Sequence, residues 1–97
     1  MSAYFVAQFT VKNPDALASY SKKAAPVITS FGGELLFKSL SGEALDGENP
    51  HHGIAVFHFP DKQALESFHA SESYQALIGE RQTGADMVTT GYVGASV

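Results

Sequence analysis

Two segments of the chain read as strands that are apolar on both faces, and this limits what can be built around them. In residues 4–11, Phe5, Ala7, Phe9 and Val11 share one face, while Tyr4, Val6, Gln8 and Thr10 share the other. In residues 54–59, Ile-Ala-Val-Phe-His-Phe, both faces are again largely apolar. A sheet with one wet face carries charge at every second position, and neither segment does. Both faces need cover, and the helical segments available suffice for only one. A second copy of the chain is expected on the other, giving a homodimer.

With 97 residues the chain is expected to form one domain, residues 1–97. A core of that size buries only about 60–65% of the surface the unfolded chain exposes, so a partner subunit adds stability. Charged residues are 16% of the chain, well under the usual quarter, which fits a chain with surface to hide. Six Lys and Arg against ten Asp and Glu give a net charge of −4. No basic patch for nucleic acid or anionic membrane follows from that balance. No apolar run approaches membrane length, and no secretory pattern opens the chain, so the expected location is the cytoplasm. Cysteine is absent, which removes disulfides, thiolate metal sites and a Cys nucleophile. Gly-x-Gly-x-x-Gly, P-loop and Gly-x-Ser-x-Gly patterns are missing as well. No nucleotide cofactor or hydrolase elbow is expected, and no cofactor of another kind is indicated.

Residues 3–11 read as the first strand. Asn13-Pro14-Asp15 starts a helix with a capping side chain, a proline suited to the first turn and an acid at the positive end of the dipole. Leu17, Tyr20, Ala24, Val27 or Ile28, and Phe31 continue at helical spacing. Pro26 is expected to kink or break that helix by removing the bond to the Lys22 carbonyl. Gly32-Gly33 stops it. Residues 34–40 are a second strand, 41–53 a loop rich in turn formers, and 54–59 a third strand. Asp61 caps a second helix that Ala70-Ser71 interrupts. A further helical segment carries Tyr74, Leu77, Ile78 and Arg81 and ends at Gly84, and residues 86–93 form the last strand. The order βαββαβ gives an α+β ferredoxin-like sandwich on an antiparallel four-stranded sheet. Right-handed crossovers place the first and third strands side by side in its centre, and the rule taken strand by strand makes that pair parallel. Both helices lie on one face. The other spans roughly 300 Å² before side-chain relief, so edge or loop contacts must add area before two copies reach a standard interface.

The helix start Asn13-Pro14-Asp15, Tyr20, Ala24-Ala25-Pro26, Phe31-Gly32-Gly33, Gly47, Phe59-Pro60, Ser71-Glu72-Ser73-Tyr74 and Arg81 come in a characteristic order. Over almost the whole chain this resembles the domain-of-unknown-function family 1330, within the dimeric alpha-beta barrel superfamily. The resemblance implies a ferredoxin-like protomer and a barrel-forming dimer, but no established activity and no catalytic set to transfer. The wider superfamily includes cofactor-free monooxygenases, haem-degrading enzymes and small-molecule isomerases. This chain departs from the family in having His58 where an acid often precedes the Phe-Pro pair. It also has Lys38-Ser39-Leu40-Ser41-Gly42 where a basic residue and glycines are usual.

His58 is the candidate catalytic residue. It lies on a central strand, on the face of Ile54 and Val56, and can act as a general base, a proton relay or a ligand. The alternative is a buried histidine bonded to a neighbour. Tyr20, Tyr74 and Arg81 are candidate substrate-binding residues. Arg81, the sole arginine, can hold a carboxylate bidentately, or instead lock the helix through a structural ion pair, which is the favoured reading. The tyrosines can aim hydroxyls into a pocket, or bury their rings and bond at the edge. His51-His52 lies in the loop without metal-ligand spacing and His69 sits near a helix end, so no metal site is expected.

Three functions remain. The first is a site for a small apolar or aromatic metabolite between sheet and helices, lined by His58, Tyr20, Tyr74 and Arg81, with proton transfer or cofactor-free oxidation as its chemistry. The second is a non-catalytic dimeric module that binds a metabolite or a protein. The third is haem or metal binding through a histidine.

Overall fold

The computed structural model describes residues 1–95, and the last two positions of the expected domain lie outside the described residues. In chain order the elements are β1 (Ala3–Val11), α1 (Pro14–Ser30), β2 (Glu34–Ser39), β3 (Gly53–Phe59), α2 (Lys62–Ala70), α3 (Glu72–Gln75), α4 (Ile78–Gly84) and β4 (Ala85–Val93). The sheet order is β2-β3-β1-β4, and every neighbouring pair is antiparallel.

The central pair β1–β3 is therefore side by side, as expected, but antiparallel rather than parallel. The crossover helix α1 joins β1 to β2, not to β3. β2 runs parallel to β1 and leaves a gap one strand wide. The chain then turns back through residues 40–52, and β3 fills that gap in the opposite direction.

Asn13 caps α1, its Oδ1 accepting from the Ala16 amide at 3.1 Å. The helix runs through Pro26 without interruption, contrary to the expected break. Lys22 and Pro26 are both exposed, so the carbonyl that loses its donor can be hydrated, while buried Tyr20, Ala24 and Ile28 hold the turns on either side. The helix ends in a Schellman motif. Gly32 takes φ +85°, its amide bonds the Thr29 carbonyl, and the Gly33 amide bonds the Ile28 carbonyl. Asp61 caps α2. Ser71 ends α2 in an extended conformation, and its hydroxyl accepts from the Tyr74 amide to start α3.

The four helices of the described residues cover one face of the sheet. The core on that side joins Ala3, Phe5 and Phe59 to Tyr20, Ala24, Ile28, Leu65, Phe68 and Tyr74. Phe68 is its hub, with ring centroids 4.5 Å from Tyr74 and 5.3 Å from both Phe5 and Phe59. Gly84 fixes α4 beside the start of α1. Its carbonyl accepts from the Lys12 and Asn13 amides, and a Cβ there would lie 2.7 Å from the Leu17 nitrogen.

Among the described residues no helix covers the opposite face. Its rows across the sheet read Glu34, His58, Tyr4, Tyr92, then Phe37, Val56, Val6, Thr90, then Ser39, Ile54, Gln8, Val88. The middle is apolar and the charged groups sit at the margins. No helix among the described residues is long and apolar enough to cross a membrane.

Candidate functional site

A cleft of about 210 Å³ lies between α1 and the helix-covered side of the sheet. Its floor is Phe5, Ala7 and Phe9 of β1 with Ala55 and Phe57 of β3, and α1 forms the wall with Leu17, Tyr20, Ala24 and Ile28. Of its fourteen lining residues, only Tyr20, Ser21 and Lys38 are polar. An apolar cavity of ~150 Å³ accommodates benzene, and drug-sized pockets run about 300–1,000 Å³. The cleft thus suits one aromatic ring with a few substituent atoms.

Three of the predicted residues are joined by hydrogen bonds, and one of them, Tyr20, lines the cleft wall. The Arg81 guanidinium donates to the Tyr74 hydroxyl at 2.9 Å, and the Tyr74 and Tyr20 hydroxyls lie 2.8 Å apart. Tyr74 is fully buried and Tyr20 nearly so. Either hydroxyl can be the donor in that pair; where Tyr74, which accepts from Arg81, gives its proton to Tyr20, the Tyr20 proton is free for a further acceptor. Burial pushes the Tyr20 pKa well up, Tyr74 adds to the shift, and Arg81 partly opposes it. Tyr20 is therefore a protonated donor, not a base. The chain is positioned by α4: Ser19 on α1 donates to Glu80 at 3.1 Å, and Lys23 lies 3.3 Å from the same carboxylate.

This geometry corrects one expectation, the Arg81 ion pair. Arg81 finds no carboxylate among the described ion pairs; its partner is a phenol. The tyrosines bury their rings, as the structural alternative held, yet their hydroxyls pair with each other.

His58 is not in this group. It lies on the open face, opposite Tyr4 and Glu34 in the register. Its Nε2 pairs with the Ser2 hydroxyl at 2.9 Å, its Nδ1 lies 3.6 Å from Glu34, and its ring packs edge-on to Tyr4. The sheet separates it from Tyr20, so the expected four-residue site divides between two faces.

The remaining histidines have local partners. His51 Nδ1 pairs with the Thr10 hydroxyl at 2.9 Å, and His52 Nδ1 donates to the Gly42 carbonyl at 2.8 Å, fixing the β2–β3 loop to the end of the open face. His69 lies in the last turn of α2 and packs against Tyr74. Among the described residues no three His, Asp or Glu side chains cluster as metal ligands would. A larger hollow of about 360 Å³ separates α2 from β4. It is open to solvent, its Lys62 is already paired with Glu66, and neither tyrosine of the hydrogen-bonded chain lines it.

Lys38, noted in the sequence only as part of the segment that ends the second strand, also lines the cleft. What places it in the cleft wall is a register irregularity in β2, which residue type and spacing do not reveal.

Solved structures share this fold at low identity. A protein of unknown function from Rhodopseudomonas palustris, RPA0582, superposes with a TM-score of 0.78 at 16% identity, covering 99% of this chain and 84% of that one. SnoaB from Streptomyces nogalater, described as a cofactor-independent oxygenase, gives 0.71 at 14% identity, covering 99% and 95%. A dimeric ferredoxin-like protein of unknown function from Thermobifida fusca gives 0.61 at 11% identity, covering 95% and 90%. No curated protein matches the sequence. The model described as a domain of unknown function, DUF1330, matches residues 2–92, and the chain belongs to that family.

Proposed function

We propose that this protein binds a small, largely apolar or aromatic metabolite in the cleft between α1 and the sheet, without a nucleotide cofactor, and that Tyr20 donates a hydrogen bond to an oxygen of that ligand. One observation carries the reading. A buried hydrogen-bonded chain of Arg81, Tyr74 and Tyr20 brings Tyr20 to the wall of a mostly apolar cleft, and donation from Tyr74 to Tyr20 leaves the Tyr20 proton for the ligand. Such a donor, polarised by a guanidinium and shielded from water, selects a carbonyl or phenolic oxygen.

The cleft favours binding over turnover. None of its lining residues is a carboxylate or an imidazole, so no general base stands beside the ligand. The oxygenase of similar fold from Streptomyces supports catalysis only by analogy of architecture. The protein is proposed to work as a homodimer with the open sheet faces together, in the cytoplasm. In support of the dimer, Phe37, Val88 and Tyr92 are each more than half exposed on or beside that face.

Acetophenone, a neutral aromatic ketone, is the direct probe. Titration followed by amide chemical shifts is expected to move cleft residues such as Ala24 and Ala55. Tyr20→Phe should weaken the ketone three- to tenfold, the value of about one neutral hydrogen bond, while leaving ethylbenzene binding unchanged. Equal ketone affinity in the two proteins, or shifts confined to the α2–β4 hollow, would overturn the reading.

A further inference from the structure

We infer that the ligand is an organic anion whose charged group rests on Lys38 at the rim of the cleft. This rests on the cleft being the binding site, and it narrows the class to apolar acids with a second, uncharged oxygen at the buried end.

The argument begins with β2. In an unbroken strand, residues three apart face opposite sides. Leu35 and Lys38 are three apart, yet both face the helix-covered side. Leu35 pairs with Phe57 and Lys38 with Ala55, and the register shifts between Leu35 and Phe37. Leu36 is the extra residue of a β-bulge. Its effect is to turn Lys38 from the open face to the cleft, where both Leu35 and Lys38 line the wall. Bulges recur next to binding sites because they re-aim one side chain without ending the strand.

Lys38 is the single charged residue among those lining the cleft. Of the other lysines, Lys23 pairs with Glu80, Lys12 with Asp86 and Lys62 with Glu66, and Lys22, exposed on α1, does not line the cleft. Among the described residues Lys38 has no carboxylate partner. The chain carries only six Lys and Arg and a net charge of −4, yet its one cation in an apolar cleft is left without an internal counter-ion. Tyr20 is nearly buried while Lys38 is exposed, so the two polar ends stand at different depths with the apolar floor between them. The ligand that matches both ends presents a neutral oxygen to Tyr20, a ring to Phe5, Phe9 and Phe57, and a carboxylate or comparable anion to Lys38.

The test uses an isosteric pair, para-acetylbenzoate and para-acetylbenzamide, by calorimetry on the whole protein. The acid is expected to bind three- to tenfold more tightly, with the difference shrinking at high salt. Lys38→Met should remove the difference by weakening the acid alone, and Lys38→Arg should restore it. Lys38 is exposed, so neither variant threatens the fold. Equal binding of both compounds, unchanged by Lys38→Met, would overturn the anionic class while leaving the cleft as the site. Failure of both compounds to bind at millimolar concentration would overturn the cleft reading and this inference with it.

Discussion

Arg81 and Tyr74, seven residues apart on two successive short helices, are joined by a 2.9 Å hydrogen bond from the guanidinium to a fully buried phenol. The break at residues 76–77 lets α4 leave α3 and return Arg81 to that oxygen. Removing the hydroxyl with Tyr74→Phe leaves both Arg81 and Tyr20 without their shared partner. The expected cost is about 1–3 kcal/mol, read from urea denaturation. Adding Tyr20→Phe should cost less than the two single losses combined, because the second change removes a group the first had already orphaned. Strict additivity would show that the three groups do not act as a chain.

The same chain sets an alkaline limit on stability. Burial raises the Tyr20 pKa above its ordinary value, near 10 for a free tyrosine. Below pH 10 both folded and unfolded forms keep the proton and the contribution is complete. Above it the unfolded chain gives up the proton and the folded one does not, so stability falls as pH rises, by up to about 1.4 kcal/mol per pH unit for the one proton. Tyr20→Phe lacks that proton. Denaturation at pH 9 and pH 11 should show a smaller alkaline loss in the variant than in the parent, and equal losses would contradict the raised pKa.

The two-sided strands, the capped start of α1 at Asn13, the stop at Gly32-Gly33 and the interruption at Ser71 were all legible, because each rests on local chemistry. Tyr74 and Arg81 could be grouped by helical spacing, and Tyr20 joins them because the helices share one face of the sheet. The position of His58 relative to them was not legible. Its own strand put it with Ile54 and Val56, correctly, but the face the helices cover depends on how β1 and β3 pair. With Phe5 and Phe9 on one side and Tyr4 and Val6 on the other, the residue types of β1 do not choose. Lys38 was hidden for a related reason. A bulge at Leu36 shifts the parity of every later residue in β2, and Leu-Leu-Phe carries no glycine or proline to announce it.

Two glycines should respond oppositely to alanine. Gly53 pairs with Phe9, and a Cβ there would stand 2.5 Å from the Phe9 ring. That ring is part of the cleft floor and only 3% exposed, so it has little room to move. Gly53→Ala is expected to destabilise by roughly 1–3 kcal/mol as an overpacked contact. Gly79 lies in the first turn of α4, and a methyl group added there would meet nothing within 4 Å. Gly79→Ala should therefore stabilise by about 0.4–1 kcal/mol through the unfolded chain. Thermal melts of the two variants suffice to check the signs.

The open face makes the proposed dimer testable without disturbing the protomer's core. Phe37, beside Val56 in the register, is 56% exposed, and Val88 on the far edge strand is 55% exposed. Leu40 and Leu45 in the β2–β3 loop carry apolar surface beyond the sheet, Leu45 being 92% exposed. That extension matters because two sheet faces alone fall short of the about 1,200 Å² of a standard interface. Light scattering at micromolar concentration is expected to return twice the chain mass. Phe37→Glu and Val88→Glu each bring a carboxylate to a surface that is apolar in the pair and wet in the single chain. They should shift the mass to that of one chain while preserving the circular dichroism spectrum, since an exposed site leaves protomer stability within about 0.5 kcal/mol. A parent protein of single-chain mass would remove the dimer, and a variant that stays paired would move the interface off this face.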